Sequence, residues 1–327
     1  MKSVYRCVLV GLGRIAWRFD LNVPGQHSPL THFGAYARDK RTSVVGAFSP
    51  EPKERSDFEK STGIPAYDSF DELLGMRPDI VSICSPSELH FEQTMACLEQ
   101  NVPMVWLEKP PTMKLQDLDS LLVTRKKRGS KTKILVNYMR RYWGVYLKLK
   151  RVFDEQRLGK PLGLNISYSQ GLESNCSHLL DFAFFLLGDP VTFDLFFPNG
   201  QNFEPNPSFL LRLRNGFDVC VSGFDASYHI NDVALICEMG RASILSGGLE
   251  TQIEMKSENE LFPGFYRLTK TGDSFLGQGG FDDCFSNALD DLIASHEKSV
   301  EPTSNLDTAR CTQAVIEKIR DMGKESS

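Results

Sequence analysis

A glycine-rich turn directly follows the first apolar segment of this 327-residue chain, and it constrains the fold more than any other feature. The apolar segment is Tyr5–Val10, and residues 11–16 read GLGRIA. In a G-x-G-x-x-A turn, the first glycine permits the tight turn and the second lets a pyrophosphate approach the backbone. The small third residue allows a helix to pack closely on the strand. The pattern predicts a dinucleotide-binding loop followed by a helix whose amino-terminal N–H groups face the phosphates.

Apolar segments and amphipathic stretches alternate through the first part of the chain. The apolar segments predict strands at Tyr5–Val10, Ser43–Phe48, Ile80–Cys84, Val102–Leu107 and Lys133–Tyr138. The stretches between them predict helices at His32–Asp39, Pro52–Thr62, Ser69–Gly75, Leu89–Gln100 and Leu115–Lys127. This alternation favours a parallel sheet with helices on both faces. We therefore predict a Rossmann-type, doubly wound α/β domain over residues 1–138.

The pattern changes after about residue 140, where strand-like segments follow one another. Helices are predicted at Gly144–Glu155, Cys176–Leu187, Phe281–Ser295 and Leu306–Arg320. Strands are predicted at Leu164–Gln170, Phe209–Arg214, Asp218–Phe224, Val233–Met239, Ala242–Ser246 and Glu250–Lys256. We predict a second α/β domain, residues 139–327, built on a large, mostly antiparallel open sheet. It would bind substrate and mediate oligomerisation.

Charge and cysteine content narrow the classes of partner. The net charge is -5 and no long basic stripe is present, which argues against a nucleic-acid partner. The eight cysteines are scattered without CxxC pairs, as in proteins whose thiols stay reduced. The most apolar stretch, Leu179–Leu187, is short and contains Asp181, so no membrane span is predicted. We predict a cytoplasmic protein without a secretory signal.

The end of the second predicted strand bears on the choice between NAD and NADP. An acidic residue there would bind the ribose hydroxyls of NAD, but this chain has Ser49. Glu51 is close, between two prolines. Lys53 and Arg55 could meet a 2′-phosphate, or could belong to an ordinary exposed helix start. The sequence favours NADP and leaves NAD open.

Residues 17–31 lie where the first helix would continue, and Pro24-Gly25 interrupts them. They predict an inserted loop near the cofactor, either a lid or substrate-contacting loop or an ordinary surface excursion.

A second motif lies at the end of the fourth predicted strand, where residues 105–111 read VWLEKPP. It puts Lys109 at the edge where doubly wound sheets bind ligands. Together with the glycine turn and the segment SPSELH at 85–90, it resembles the Gfo/Idh/MocA family of sugar and cyclitol oxidoreductases, which carries an E-K-P tripeptide here. Segment NYMRRY at 137–142 is similar to the family's N-R-R-F strand. The resemblance covers essentially the whole chain.

The resemblance implies a catalytic role for two residues. Lys109 would hold the substrate oxygen, and His178 would accept or donate the proton, which suits an imidazole near neutral pH. The family's histidine follows a D-x-x-x-H pattern, but Ser174 replaces the aspartate here, and Glu173 would be the nearest acid. The run GLESNCSH at 171–178 is similar to a variant found in surface-polysaccharide and acidic-sugar biosynthesis.

The remaining candidates are assigned by position. The candidate cofactor-binding residues are Gly11, Gly13, Arg14, Ile15, Ser49, Ser85, Pro86, His90, Glu108 and Lys109. The candidate substrate-binding residues are Tyr138, Arg141, Tyr168, Ser174 and Asn175, although Tyr138, Arg141 and Tyr168 could equally pack within the second domain. No metal is predicted, because Cys176, His178 and Asp181 lack a further His or Cys pair. His27, His32 and His90 are interpreted as local hydrogen-bonding residues.

The sequence thus predicts an NAD(P)-dependent oxidoreductase that moves a hydride to or from a secondary alcohol or ketone of a sugar, cyclitol or nucleotide sugar. Two alternatives remain open. The first is a catalytically silent dinucleotide-binding sensor, which the missing aspartate at position 174 supports; the second is reduction of a non-sugar substrate. A broad open sheet should expose one face to another subunit, so we predict a homodimer or homotetramer.

Overall fold

The computed structural model describes residues 4–21, 28–188, 193–197, 205–213, 216–272, 275–276 and 283–325. The contacts divide the chain into two units. Residues 1–142 and 283–310 form the first, and residues 143–282 and 311–327 form the second. Segment 283–310 therefore packs with the first unit, although the sequence analysis grouped it with the second domain. The boundary predicted near residue 138, as a division between cofactor-binding and substrate-binding parts, stays a prediction.

A six-stranded sheet forms the centre of the first unit. Its strands are β1 (Tyr5–Val10), β2 (Thr42–Phe48), β3 (Ala66–Tyr67), β4 (Ile80–Ile83), β5 (Met104–Leu107) and β6 (Lys133–Val136). They pair in parallel in the order β3-β2-β1-β4-β5-β6. Every residue of β4, β5 and β6 is buried, as expected for strands covered on both faces. The strand order reverses between β1 and β4, which is where doubly wound sheets bind their ligands.

Five helices accompany these strands along the chain. They are α1 (His32–Arg38), α2 (Pro52–Thr62), α3 (Phe70–Gly75), α4 (His90–Glu99) and α5 (Leu115–Lys127). Leu118 and Leu121 of α5 are fully buried in the core with Val81 and Val105 of the sheet. Each such side chain contributes about 1.5–3 kcal/mol by leaving water. The predicted Rossmann-type sheet is confirmed, and the short strand β3 is the one element of this sheet that the sequence pattern did not show.

Among the described residues, the second unit contains two complete α-helices, the later part of the last helix and a nine-stranded sheet. The helices are α6 (Gly144–Asp154) and α7 (Ser177–Leu187). The strands are β7 (Pro161–Tyr168), β8 (Phe193–Phe196), β9 (Phe209–Leu213), β10 (Asp218–Gly223), β11 (Asn231–Cys237), β12 (Gly240–Leu245), β13 (Glu250–Glu258), β14 (Tyr266–Lys270) and β15 (Phe275–Leu276).

The strands of the second sheet follow the order β14-β13-β12-β11-β7-β10-β9-β8, with β15 beside β13. All pairs are antiparallel except β7 with β10. Buried and partly exposed residues alternate along β11, so one face is packed and the other is more open. Helix α6 packs on β12 and β13. The predicted mostly antiparallel open sheet is confirmed, and β8, β14 and β15 are additions to it.

Two helices close the chain, α8 (Cys284–Lys298) and α9 (Leu306–Glu325). Helix α8 packs on β5, β6 and α1 and therefore belongs to the first unit. Helix α9 starts in the first unit and continues into the second after Arg310. Within the described ranges, no helix combines the length and the apolar character that crossing a membrane requires.

Candidate active site at the carboxyl edge of the parallel sheet

The turn after β1 lies directly against the turn after β4. Gly11 has a φ of +85°, and a Cβ atom placed on it would lie 2.6 Å from the backbone nitrogen of Ser85 and 2.8 Å from the carbonyl carbon of Cys84. Only glycine tolerates both this conformation and this approach. Gly11 therefore joins the two turns at the point where the strand order reverses.

Gly13 has the opposite environment. Apart from its two chain neighbours, no atom of the described residues lies within 4 Å of the position that a Cβ atom on Gly13 would occupy, so the backbone here faces open space among them. Arg14 beside it is exposed and Ile15 is half-buried. An accessible backbone at the second glycine is what the close approach of a pyrophosphate requires. The turn thus fits a dinucleotide.

The helix expected directly after the turn is absent, which corrects the sequence prediction. Residues 14–17 form a turn, Arg18–Asp20 form one turn of 3₁₀ helix, and α1 begins only at His32. The carbonyl of Ile15 accepts from the N–H of His32 at 3.3 Å, and that of Ala16 accepts from Phe33 at 2.9 Å. The inserted loop therefore leaves the helical path after Ala16 and rejoins it at His32. Its residues 22–27, including Pro24 and His27, lie outside the described residues.

The end of the inserted loop is fixed to the start of α1. The Thr31 hydroxyl accepts from the N–H of Gly34 at 2.9 Å, which caps the helix. It also donates to the Asp20 carboxylate, whose other oxygen accepts from the Leu30 N–H at 2.9 Å. Asp20 therefore connects the first residues of the insertion to its last.

The turn after β2 is closed by its own side chains. Ser49 is fully buried, and its hydroxyl donates to the Glu54 carboxylate at 2.7 Å. Arg55 donates to the carbonyls of Ser49 at 2.7 Å and Pro50 at 2.9 Å. Lys53 is exposed. Ser49 therefore supports the turn with its side chain, and Lys53 is the cation here that faces solvent most openly.

His90 joins the turns after β4 and β5. It is 1% exposed, with Nδ1 at 2.7 Å from the carbonyl oxygen of Pro110 and Nε2 at 3.0 Å from that of Ser85. Pro86 precedes the short 3₁₀ turn that leads to His90. Lys109 is half-buried and precedes Pro110 through a cis peptide bond. Both contacts of His90 are hydrogen-bonding contacts to nearby backbone carbonyls, as its interpretation as a local hydrogen-bonding residue expects.

Glu108 ends a buried chain of hydrogen bonds that the sequence did not reveal. Its Oε1 lies 2.9 Å from Nε2 of His32 and accepts from Nδ2 of Asn137 at 2.5 Å. The other ring nitrogen of His32 lies 2.9 Å from the Ser82 hydroxyl, which lies 2.6 Å from that of Tyr36. Residues from α1, β4, the end of β5 and the end of β6 meet here.

Burial acts to raise the pKa of Glu108, because it removes the carboxylate from water. The hydrogen bond and charge of His32, the amide of Asn137 and the positive charge of Lys109 act in the opposite direction and outweigh it. The pKa of Glu108 therefore lies below its ordinary value. Glu108 is a carboxylate at neutral pH, next to Lys109 in the chain.

Two candidate substrate residues lie in the first unit. Tyr138 and Arg141 are 2% and 3% exposed. Arg141 donates to the carbonyl oxygen of Thr303 at 3.1 Å. Both side chains are thus packed, and Arg141 ties the segment after β6 to the segment before α9.

The other candidate substrate residues lie in the second unit, around the end of β7. Tyr168 is fully buried and donates to the carbonyl of Pro207 at 2.8 Å. Asn175 is also buried and donates to the carbonyl of Ser169 at 2.8 Å. Ser174 donates to the carbonyl of Gln170. These three side chains hold the connection from β7 to α7.

His178 is the second residue of α7 and is 8% exposed. Glu173 is the nearest acidic residue before His178 in the chain, and its carboxylate accepts a hydrogen bond from the Arg320 guanidinium at 3.1 Å. Among the residues that the structure describes, no group of three or more His, Cys, Asp or Glu side chains is arranged to hold a metal ion.

Comparison with known proteins agrees with this architecture. Residues 5–138 match the Gfo/Idh/MocA model, described as an oxidoreductase family with an NAD-binding Rossmann fold. The inositol 2-dehydrogenase of Rhodococcus erythropolis is 28% identical over 258 residues, which cover 72% of this chain and 68% of that protein.

Two solved structures share the fold of both units at 16% identity. An oxidoreductase from Agrobacterium radiobacter, solved with NAD+, L-tartaric acid and magnesium, has a TM-score of 0.77 and covers 99% of this chain and 98% of its own. A variant of a 3-ketoreductase from Actinomadura kijaniata, solved with TDP-benzene and NADP, has a TM-score of 0.74 and covers 98% of both chains. Residues 5–138 thus match the Gfo/Idh/MocA family of oxidoreductases, and the two solved structures show that the shared fold extends over both units.

Proposed function

We propose that the chain is an NAD(P)-dependent oxidoreductase that interconverts a secondary alcohol and a ketone on a sugar, cyclitol or nucleotide sugar. The observation that carries this proposal is the backbone contact between Gly11 and Ser85 at the switch point of the sheet, with Lys109 at the end of the adjacent strand β5. The related inositol 2-dehydrogenase and 3-ketoreductase support the substrate class.

The residues divide the work in a simple way. When bound, the nicotinamide supplies the acceptor or donor of the hydride. The ammonium group of Lys109 would hold the substrate oxygen and stabilise negative charge that develops on it. His178 would accept the hydroxyl proton during oxidation and return it during reduction. These roles follow the resemblance to the family and are part of the proposal.

A silent dinucleotide-binding sensor is the second candidate, and Ser174 is the observation that favours it. This residue stands where the family has an aspartate, and its hydroxyl donates to a backbone carbonyl. Glu173 pairs with Arg320. Neither residue is arranged as the carboxylate partner that the family's histidine has.

Lys109→Ala tests the enzyme proposal, with Lys114→Ala as a matched control. Lys114 is exposed and lies five residues later, just before α5. Removing Lys109 should lower turnover about 100-fold or more while dinucleotide binding persists. The control should keep both. Oxidation of a panel of sugars, cyclitols and nucleotide sugars is followed by nicotinamide absorbance, and binding by fluorescence titration.

Two results would overturn this assignment. Parental turnover in Lys109→Ala would remove Lys109 from the chemistry. Tight dinucleotide binding without turnover on any member of the panel would favour the sensor.

We also propose NADP as the preferred dinucleotide, because Lys53 and Arg55 supply positive charge after β2. Glu54 lies in the same turn and opposes a 2′-phosphate, so the preference depends on Lys53, the exposed cation. Lys53→Ala should raise the Kd for NADP several-fold and leave that for NAD unchanged. Equal changes for both dinucleotides would contradict the preference.

We propose a homodimer or homotetramer formed through the second unit. One face of the second sheet is open. Next to it in the chain, Phe262 and Phe265 before β14 and Tyr266 at its start are 61%, 70% and 62% exposed. Such an apolar cluster favours an interface. Light scattering at micromolar concentration should give a multiple of 36.8 kDa. A monomer would contradict the proposal, and Phe262→Ser with Phe265→Ser should weaken assembly.

A further inference from the structure

A buried line of polar side chains runs from α1 to Glu108. Tyr36 is 1% exposed, and Ser82 and His32 are fully buried. The hydroxyl oxygens of Tyr36 and Ser82 lie 2.6 Å apart, and the Ser82 hydroxyl lies 2.9 Å from Nδ1 of His32. Nε2 of His32 lies 2.9 Å from Oε1 of Glu108, and because a carboxylate only accepts, Nε2–H is the donor in this contact.

A second donor fixes the same carboxylate oxygen. The indole N–H of Trp106 donates to Oδ1 of Asn137 at 3.2 Å, which turns the amide so that Nδ2 donates to Glu108. The backbone N–H of Glu108 also donates to the carbonyl of Ile83 at 2.9 Å. Oε1 of Glu108 thus accepts hydrogen bonds from two side chains, and the backbone of Glu108 is bound to β4.

The ring of His32 is packed as closely as it is hydrogen-bonded. It lies 4.0 Å from the Trp106 ring and 5.7 Å from the Phe285 ring of α8, measured between centroids. The side chain of His32 is fully buried and that of Glu108 keeps 13% of its surface exposed, and a carboxylate so far removed from water is costly compared with an apolar side chain of the same volume. Tyr36 lies at the end of the line away from Glu108 and is 1% exposed, so among the described residues this end gives protons no path to solvent. Both facts point to a role for the charge itself.

We propose that His32 and Asn137 are positioning residues, which hold the Glu108 carboxylate so that its negative charge keeps Lys109 in the ammonium form. This inference rests on the proposed function, which makes Lys109 the group that holds the substrate oxygen. The ammonium form is needed because a neutral amine would not stabilise negative charge on that oxygen.

Two groups that pack around Glu108 and His32 carry no charge at neutral pH. Burial raises the pKa of the Cys84 thiol well above its ordinary value, so this group is neutral. Helix α8 contributes the apolar Phe285. Among the residues that the structure describes, the ionisable groups that interact with Glu108 are His32 on α1, Cys84 after β4 and Lys109 itself.

The test compares five variants with the parent protein, and the fifth is the double variant that combines His32→Phe with Glu108→Gln. Glu108→Gln removes the negative charge beside Lys109, and His32→Phe removes the donor that positions it. His32→Gln retains an N–H donor for Glu108, and Tyr36→Phe removes only the hydroxyl at the far end of the line. The fraction of Lys109 that is protonated is followed from pH 6 to 11 by trace acetylation with acetic anhydride and peptide mass spectrometry. The pH profile of kcat/KM is measured in parallel on the best substrate of the panel.

We expect the protonation midpoint of Lys109 to fall by about one pH unit in Glu108→Gln, since removing a neighbouring opposite charge shifts a pKa by about that amount or more. The alkaline limb of kcat/KM should move with it, costing about tenfold at pH values above the new midpoint. In His32→Phe the midpoint should fall by less, because Glu108 keeps its charge and loses only the donor that positions it. His32→Gln and Tyr36→Phe should keep the parental midpoint. The double variant should show no further shift, because both substitutions break one interaction.

An unchanged Lys109 midpoint in Glu108→Gln would overturn the inference, and so would additive shifts in the double variant. Glu108→Gln preserves the shape of the side chain, so it decides the question even if His32→Phe does not fold. Acetylation needs no turnover, so a shifted midpoint without activity on any substrate would support the inference and count against the proposed function. Loss of activity in Lys109→Ala with unchanged midpoints would do the reverse.

Discussion

Replacing Gly11 by alanine tests the contact between the turns after β1 and β4. The added methyl group would lie 2.6 Å from the nitrogen and 2.7 Å from the Cα atom of Ser85, and these are backbone atoms that cannot rotate away. The left-handed φ of +85° costs an alanine about 1–2 kcal/mol. Overpacking adds about 1–3 kcal/mol. We therefore expect the free energy of unfolding to fall by about 2–5 kcal/mol and Tm by about 5–15 °C.

Gly13→Ala is the matched control, because its methyl group would meet no atom of the described residues within 4 Å, its chain neighbours apart. It should fold with nearly the parental Tm but bind dinucleotide at least tenfold more weakly, since the methyl group occupies the space for the pyrophosphate. Differential scanning calorimetry measures Tm, and fluorescence titration measures Kd. A parental Tm in Gly11→Ala would refute the argument about the contact. Parental affinity in Gly13→Ala would refute the placement of the phosphates.

Three further predictions concern stability. Thr31→Ala removes the cap of α1 and should cost about 1 kcal/mol in urea unfolding; no loss would mean that the insertion is held by other contacts. The pKa of Glu108 is lower in the folded protein, so its stabilisation is complete above the ordinary glutamate value and is lost as the pH falls through the folded one. Glu108→Gln should therefore show a shallower acid limb in a plot of Tm against pH, and a parental limb would contradict this. Tyr142→Phe removes the acceptor of the Ser304 N–H and the donor to Asp291, and should cost about 1–3 kcal/mol by calorimetry, with an unchanged Tm as the contrary result.

The sequence predicted five of the six strands of the parallel sheet because each of those five is defined by local composition. Strands β4, β5 and β6 are buried on both faces, so their residues are nearly all apolar, and the predicted limits agree with the observed ones to within two residues. Helices α2 and α5 begin and end where the pattern placed them. Strand β14 was missed for the opposite reason, since all five of its residues are exposed and leave no alternation to detect.

The helix after the glycine turn was predicted wrongly because its hydrogen bonds are not local. The turn satisfies the sequence rule for a following helix, but the partners of Ile15 and Ala16 are His32 and Phe33, beyond the inserted loop. A rule based on residues three or four positions apart cannot find partners seventeen positions apart. Pro24 indicated that the helix was interrupted, and only the structure showed where the interrupted path resumes.

The same distinction explains which part of the candidate site was predictable. Gly11, Gly13 and Lys109 stand in short motifs, so their type and spacing suffice to identify them. Glu108 stands in the same motif as Lys109, yet its partners are His32 and Asn137, which lie far from it in the chain. Nothing in the sequence around either partner indicates that it contacts Glu108. The groups that would touch ligands are therefore encoded locally, whereas the groups that hold their charges in place are encoded by tertiary packing. If the Lys109 midpoint follows the state of Glu108, the reactivity of the E-K-P motif in this chain is determined by residues outside it, and the motif alone would not predict at which pH the lysine carries its charge.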